Sequence, residues 1–174
     1  FAAIDHNNGT VIVATPYDAE LSALSSELNT TYVAYGSAGR RKAARQTTQD
    51  HNAASMSPSA AAERAEAKST TNYRNDSWDL VDAVGRNEGS LPAVAKKDLP
   101  QEMQNMSEEE QKEFIEEKAR RRSDIQSKIA KLAAKRKGYI EAENKKAGKD
   151  DSNALDGVMR DAIRTQAEAN GFEF

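Results

Sequence analysis

The long run from Ser107 to Lys146 carries no proline and constrains the fold more than any other part of the chain. Ser107 stands three residues before Glu110, the spacing of a capping box. In that motif the serine oxygen takes an N–H of the first turn and the glutamate reaches back to the cap. Glu108, Glu109 and Glu110 open the run and Lys145 and Lys146 close it, which suits the helix dipole at both ends. At the usual rise this is a rod of roughly 55–60 Å. Ile125, Ile129, Leu132, Arg136 and Tyr139 follow one another at four, three, four and three, a coiled-coil seam with one basic interruption. Upstream the seam positions Lys118 and Arg122 are basic, so Phe114 and Ile115 are the apolar anchors of that half. Such a helix cannot bury its stripe alone and needs a partner helix, in this chain or another.

Composition supports elongated helices over one generous core. Hydrophobic residues make up 37% of the 174 and charged ones 30%, with a mean hydropathy of -0.83. The net charge of -3 gives no global field to recruit nucleic acid. There is no cysteine, which excludes disulfides, thiolate zinc sites and cysteine nucleophiles. No apolar run approaches the ~20 residues of a membrane-spanning helix. The chain opens at Phe1 directly in an apolar run, which reads as a fragment or a processed product.

The apolar runs Phe1–Asp5 and Val11–Thr15 flank Asn8-Gly9, a hairpin-turn dipeptide, so two short strands are expected. Pro16 then suits the first turn of a helix, and Leu21, Leu24 and Leu28 recur at helical spacing. The β-branched and aromatic stretch Asn29–Tyr35 reads as a short strand or an extended arm lying on a core, stopped by Gly36. Arg40 to Ser55 is a polar helix candidate, and Ser57-Pro58-Ser59 breaks it. Ser59 is the expected cap of a further helix from Ala60 to about Tyr73. Trp78 begins the most apolar patch of the middle region and is expected to plug a junction between helices. After a turn at Ala147–Asp151, Ser152 would cap a last helix. Its stripe of Leu155, Val158, Met159 and Ile163 is the natural mate for the long helix. Asn170-Gly171 would end that helix, with Phe172 and Phe174 beyond. The expected fold is therefore mostly α with a small α/β N-terminal part. Residues 1–36 would be the edge of an α/β domain and 37–100 a helical and loop connection. Residues 101–174 would form an antiparallel helical hairpin.

Several segments, in order, resemble one family. They are Ala3-Ile-Asp-His-Asn7, Thr15-Pro-Tyr-Asp-Ala-Glu20, Leu28 through Gly36, Gln49-Asp-His-Asn-Ala-Ala54, Ser77-Trp-Asp-Leu-Val-Asp-Ala83, Asp98-Leu-Pro-Gln-Glu-Met103 and Gln166 through Phe174. Together they resemble the C-terminal half of bacterial von Willebrand factor type A domain proteins, mostly exported. The resemblance implies that residues 1–36 are the tail end of that family's doubly wound sheet and that the rest is a helical C-terminal extension. It also implies a periplasmic or extracellular location. The family's adhesion site binds a metal ion, such as Mg²⁺, through an Asp-x-Ser-x-Ser loop. That loop would lie upstream of Phe1, since none occurs here. Asp150-Asp-Ser-Asn is not that motif, so no metal ligand is assigned within the chain.

The residues carry little chemistry of their own. His6 beside Asp5 precedes a tight turn and reads as part of it, and His51 after Asp50 reads as exposed on a polar helix. No Gly-x-Ser-x-Gly elbow and no phosphate-binding glycine loop is present. The basic runs Arg120-Arg121-Arg122 and Lys135-Arg136-Lys137 are candidate contacts for nucleic acid or an anionic surface, weighed against a solvated, salt-bridged face. Asn8, Asn29, Asn75 and Asn105 each begin an Asn-x-Ser/Thr sequon. The expected function is non-enzymatic: protein binding, adhesion or structure, with a protein partner or self-association and no cofactor in this chain. The alternative is a scaffold or anionic-polymer binder using the basic runs. A third reading, a hydrolase with its active groups upstream, leaves this piece as scaffold. The residues expected to carry the packing are Trp78, Phe114, Ile125, Ile129, Leu132 and Tyr139 against Leu155, Val158, Met159 and Ile163.

Overall fold

A computed structural model describes residues 13–87, 89–146 and 162–168. The described part is mostly helical, with no β-strand. Pro16–Arg136 forms one compact unit. The expected hairpin turn at Asn8-Gly9, with His6 beside it, lies outside the described residues, as do the turn after the long helix, Ser152 and the chain's last residues. Residues 13–15 are described and are irregular.

The helices are α1 (Asp18–Asn29), α2 (Gly39–Met56), α3 (Pro58–Ser69), α4 (Leu80–Arg86) and α5 (Glu108–Lys146). Two 3-10 turns, Lys96–Asp98 and Gln101–Met103, lie in the connection before α5. Residues 162–168 are helical. The capping box that opens α5 forms in both directions: Glu110 N–H donates to Ser107 Oγ at 3.2 Å, and Ser107 N–H donates to Glu110 Oε2 at 2.7 Å.

The cap of α3 differs from expectation by two residues. Ser57 is the cap and accepts from Ala60 N–H at 3.0 Å. Pro58 takes the first helical position, where a missing N–H is no loss, and so pushes the cap upstream. Asp79 caps α4 by accepting from Asp82 N–H at 3.1 Å.

Of the stretch Asn29–Tyr35, Asn29 ends α1 and residues 30–31 turn, so only residues 32–35 run on as an arm. It makes one isolated antiparallel bridge, Ala34 to Asp79, and α4 starts at the next residue, so no ladder can grow. Leu80 N–H donates to Val33 O, and Tyr35 N–H to Trp78 O, both at 2.9 Å. Gly36 then turns the chain at φ 75°, a left-handed conformation that glycine adopts without strain. At Gly39 a Cβ would sit 3.2 Å from the backbone carbon of Ala34, so this close approach also favours glycine.

Two clusters form the core of Pro16–Arg136. One joins Leu21, Leu24 and Leu28 of α1 with Ala62 and Ala65 of α3 and Ile125 and Ile129 of α5, with Leu132 half-buried beside them. The other gathers Val33, Leu80, Val81, Met103 and Ile115, with Phe114 against it. The alanines of α3 allow it to lie close to α1. The first cluster draws residues from all three of the segments 1–36, 37–100 and 101–174.

Part of the α5 seam is covered within Pro16–Arg136. Ile125 and Ile129 are filled from α1 and α3. Leu155, Val158 and Met159 lie outside the described residues. Ile163 is 61% exposed.

Candidate functional site

Three buried cations organise the unit. Ile115, Arg122, Ile129 and Arg136 lie seven residues apart on α5, and all four are buried. The seven-residue repeat that marks an inward face therefore carries two arginines among its isoleucines.

Arg122 is 6% exposed. Its Nη1 donates to Asp79 Oδ2 at 2.7 Å and to Asp82 Oδ1 at 2.6 Å. Its Nε and Nη2 donate to Thr31, at Oγ1 and the carbonyl oxygen. The guanidinium also lies over the Tyr32 ring, 4.5 Å from its centroid. Burial works against the charge, but Asp79 and then Asp82 outweigh it and hold the Arg122 pKa above the ordinary value. Burial, reinforced by Asp79, raises the Asp82 pKa against the opposing pull of Arg122. Asp79 also accepts from Val33 N–H at 2.7 Å, so one buried carboxylate ties the arm, α4 and α5 together.

Arg136 is equally buried. Its Nε donates to Asp18 Oδ1 at 2.9 Å and its Nη2 to Ser59 Oγ at 2.6 Å. Glu63 and Glu66 approach at 3.4 and 3.3 Å. Ser59, expected as a helix cap, is thus an acceptor for α5.

Lys68 on α3 is the third. Its side chain has no exposed surface. Its Nζ donates to Asp50 Oδ2 at 2.7 Å, Asn29 Oδ1 at 2.8 Å, and Ser25 Oγ and O at 2.9 and 3.2 Å. Asp50 also accepts from Asn29 and from Arg64. Burial lowers the Lys68 pKa, and Arg64 adds to this against the pull of Asp50. For Asp50 burial acts upward, but the hydrogen bonds from Lys68, Asn29 and Arg64 prevail and lower its pKa.

A serine hydroxyl beside a buried lysine resembles a nucleophile with its base. A base must offer a lone pair, however, and three partners of Lys68, the Ser25 carbonyl, Asn29 Oδ1 and Asp50 Oδ2, can only accept, which takes all three N–H groups of an ammonium. The arrangement suits an ammonium that locks α1, α2 and α3. A cleft of about 270 Å³ lies alongside, lined by Ser22, Thr47, His51 and Arg64 among others. His51 is exposed there on α2.

The basic runs of α5 divide. Arg120, Lys135 and Lys137 are exposed, and Arg121 pairs with Glu27 at 3.2 Å. Arg122 and Arg136, expected as contacts for an outside anion, are instead neutralised internally, because their seam positions point them into the unit. Trp78 is 6% exposed, its ring 5.4 Å from that of Tyr32 and its Nε1 donating to Asn75 Oδ1 at 3.1 Å. Tyr139 is half-buried. Of the sequon asparagines, Asn29 is engaged with Lys68, Gln46 and Asp50, whereas Asn105 is exposed. Asn8 lies outside the described residues.

A second groove, again of about 270 Å³, runs between α2 and residues 73–78. Lys42, Arg45 and Arg74 line it, with Gln49 and Ser77, and no carboxylate does. The first turn of α2 has no acid, and its cap position, Ala38, offers no side-chain acceptor. Nδ2 of Asn75, in the wall, is the buried side-chain polar atom without a partner among the described residues. No group of three or more His, Cys, Asp or Glu suited to a metal occurs among the described residues. No described helix is long and apolar enough to cross a membrane.

Compared with protein-family models, curated proteins and solved structures, the chain matches none.

Proposed function

We propose that this chain is the C-terminal part of a bacterial, exported von Willebrand factor type A domain protein, and that it serves a non-enzymatic, protein-binding or structural role. In this reading Pro16–Arg136 is a brace that holds α5 by its buried arginines. The observation that carries it is the pairing of Arg122 and Arg136 with carboxylates of α1 and α4. Polar groups spent in this way orient a helix and are used up as ligands for anything else. The saturated Lys68 supports the same reading, because the best placed candidate base is already engaged as a donor.

The adhesion site of such a protein would hold Mg²⁺ through an Asp-x-Ser-x-Ser loop. The present residues do not fit that role, since the sequence has no such loop. Metal-dependent partner binding would belong to a segment upstream, and self-association or spacing to the helical part. Intact mass and N-terminal sequencing of the natural gene product test this. A mass well above 19.0 kDa, with an Asp-x-Ser-x-Ser loop in the added segment and Mg²⁺ binding, is expected. A longer product without that loop, or one of 19.0 kDa, overturns the family assignment and leaves the scaffold role to stand alone.

A further inference from the structure

We propose that the groove between α2 and residues 73–78 docks an acidic segment of a partner polypeptide. Among the arginines of Pro16–Arg136, Arg64, Arg86, Arg121, Arg122 and Arg136 each have a carboxylate partner. Arg40, Arg41, Arg45 and Arg74 have no ion pair among the described residues, nor does Arg120 on α5, and all five are exposed. Of these, Arg45 and Arg74 line the groove together with Lys42, and Asp76, whose own ion pair is with Arg86, is the carboxylate that feels Arg74.

Folding does not call for this charge. Cations in the first turn of a helix oppose its dipole, and α2 has neither an acid nor a side-chain cap there to relieve them. By contrast α3, α4 and α5 each have a side-chain cap, and α1, which has none, carries Asp18 and Glu20 in its first turn. A carboxylate-bearing ligand would offset the repulsion. Gln49 and Ser77 add exposed neutral groups that suit a peptide backbone.

The groove favours polypeptide over nucleic acid. Single-stranded nucleic acid gains much of its binding by stacking on exposed aromatic faces. Trp78 is buried against Tyr32, and the Tyr73 hydroxyl is tied to Gln46 and Arg64. An extended polyanion would also meet the overall charge of -3, whereas a short acidic segment meets only the local field.

The inference rests on the protein-binding reading of this unit but not on the family assignment. A fluorescently labelled decaglutamate peptide is titrated with the 174-residue chain at low and physiological salt, beside an oligothymidylate of equal length. The peptide is expected to bind more tightly than the oligonucleotide. The double variant Arg45→Glu/Arg74→Glu should weaken it about tenfold or more, and Arg120→Glu/Lys135→Glu less than about twofold. Unchanged circular dichroism and melting of the variants confirm that they fold. Equal or tighter oligonucleotide binding, or a peptide response lost equally in both variants or in neither, overturns the proposal. Failure of peptide binding sinks the groove alone, since the bracing role is read separately from the stability of Arg122 and Arg136 variants.

Discussion

Arg136 and Asp18 are 118 residues apart in sequence, yet Nε of one donates to Oδ1 of the other at 2.9 Å with both side chains buried. The bond joins the first turn of α1 to α5. It places a carboxylate where the α1 dipole favours one and satisfies an arginine on an otherwise apolar seam. Arg122 repeats the arrangement two turns beyond Ile115, with Asp79 and Asp82 as its anions.

Truncating Arg122 should be among the most damaging single changes. Arg122→Met leaves Asp79 buried without its cation, and breaking one side of such a pair costs about 3–5 kcal/mol. Urea unfolding should show this, while Arg120→Met, on the exposed side, stays within about 0.5 kcal/mol of the parent. Equal effects of the two would refute the internal role of Arg122.

Acid should act through Asp50. Its folded pKa lies below the reference value of 3.8, so its stabilising contribution is complete above that pH. The contribution is lost as pH falls through the folded pKa. Asp50→Asn should lower the melting temperature at pH 7, because Lys68 loses its anion, and should flatten the acid limb below about pH 4. A parallel downward shift at every pH would show that Asp50 does not titrate as its contacts require.

The seam on α5 can be tested at two depths. Ile129→Ala should cost about 2–5 kcal/mol, since Ile129 is fully buried against α1 and α3. Leu132→Asp, at the half-buried edge of the same cluster, should also lower the melting temperature by placing a charge against apolar surface. Melting unchanged in both variants would rule out this packing.

Ser57→Ala removes the cap of α3 and should cost about 1 kcal/mol in thermal or urea unfolding. Ser59→Ala tests a different function, since its hydroxyl faces Arg136 rather than the backbone. Combining Ser59→Ala with Arg136→Met should therefore give less than the sum of the single effects. Strict additivity would argue against the contact.

The sequence by itself determined the local structure. The Ser107–Glu110 box, the break at Ser57-Pro58-Ser59, the leucine spacing of α1 and the seam of α5 depend on neighbours within a few residues, and each is legible from spacing alone. Even the basic seam positions were visible as interruptions at Arg122 and Arg136. Their meaning was not, because an arginine in a basic run looks the same whether it faces water or a buried carboxylate. Only the tertiary structure brought Asp18, Asp79 and Asp82 to those guanidinium groups, and Asp50 to Lys68. It also gave the α5 seam to α1 and α3. Helix periods are set by short-range backbone geometry, whereas partners far apart in the chain are chosen by which faces can be buried together with their charges satisfied.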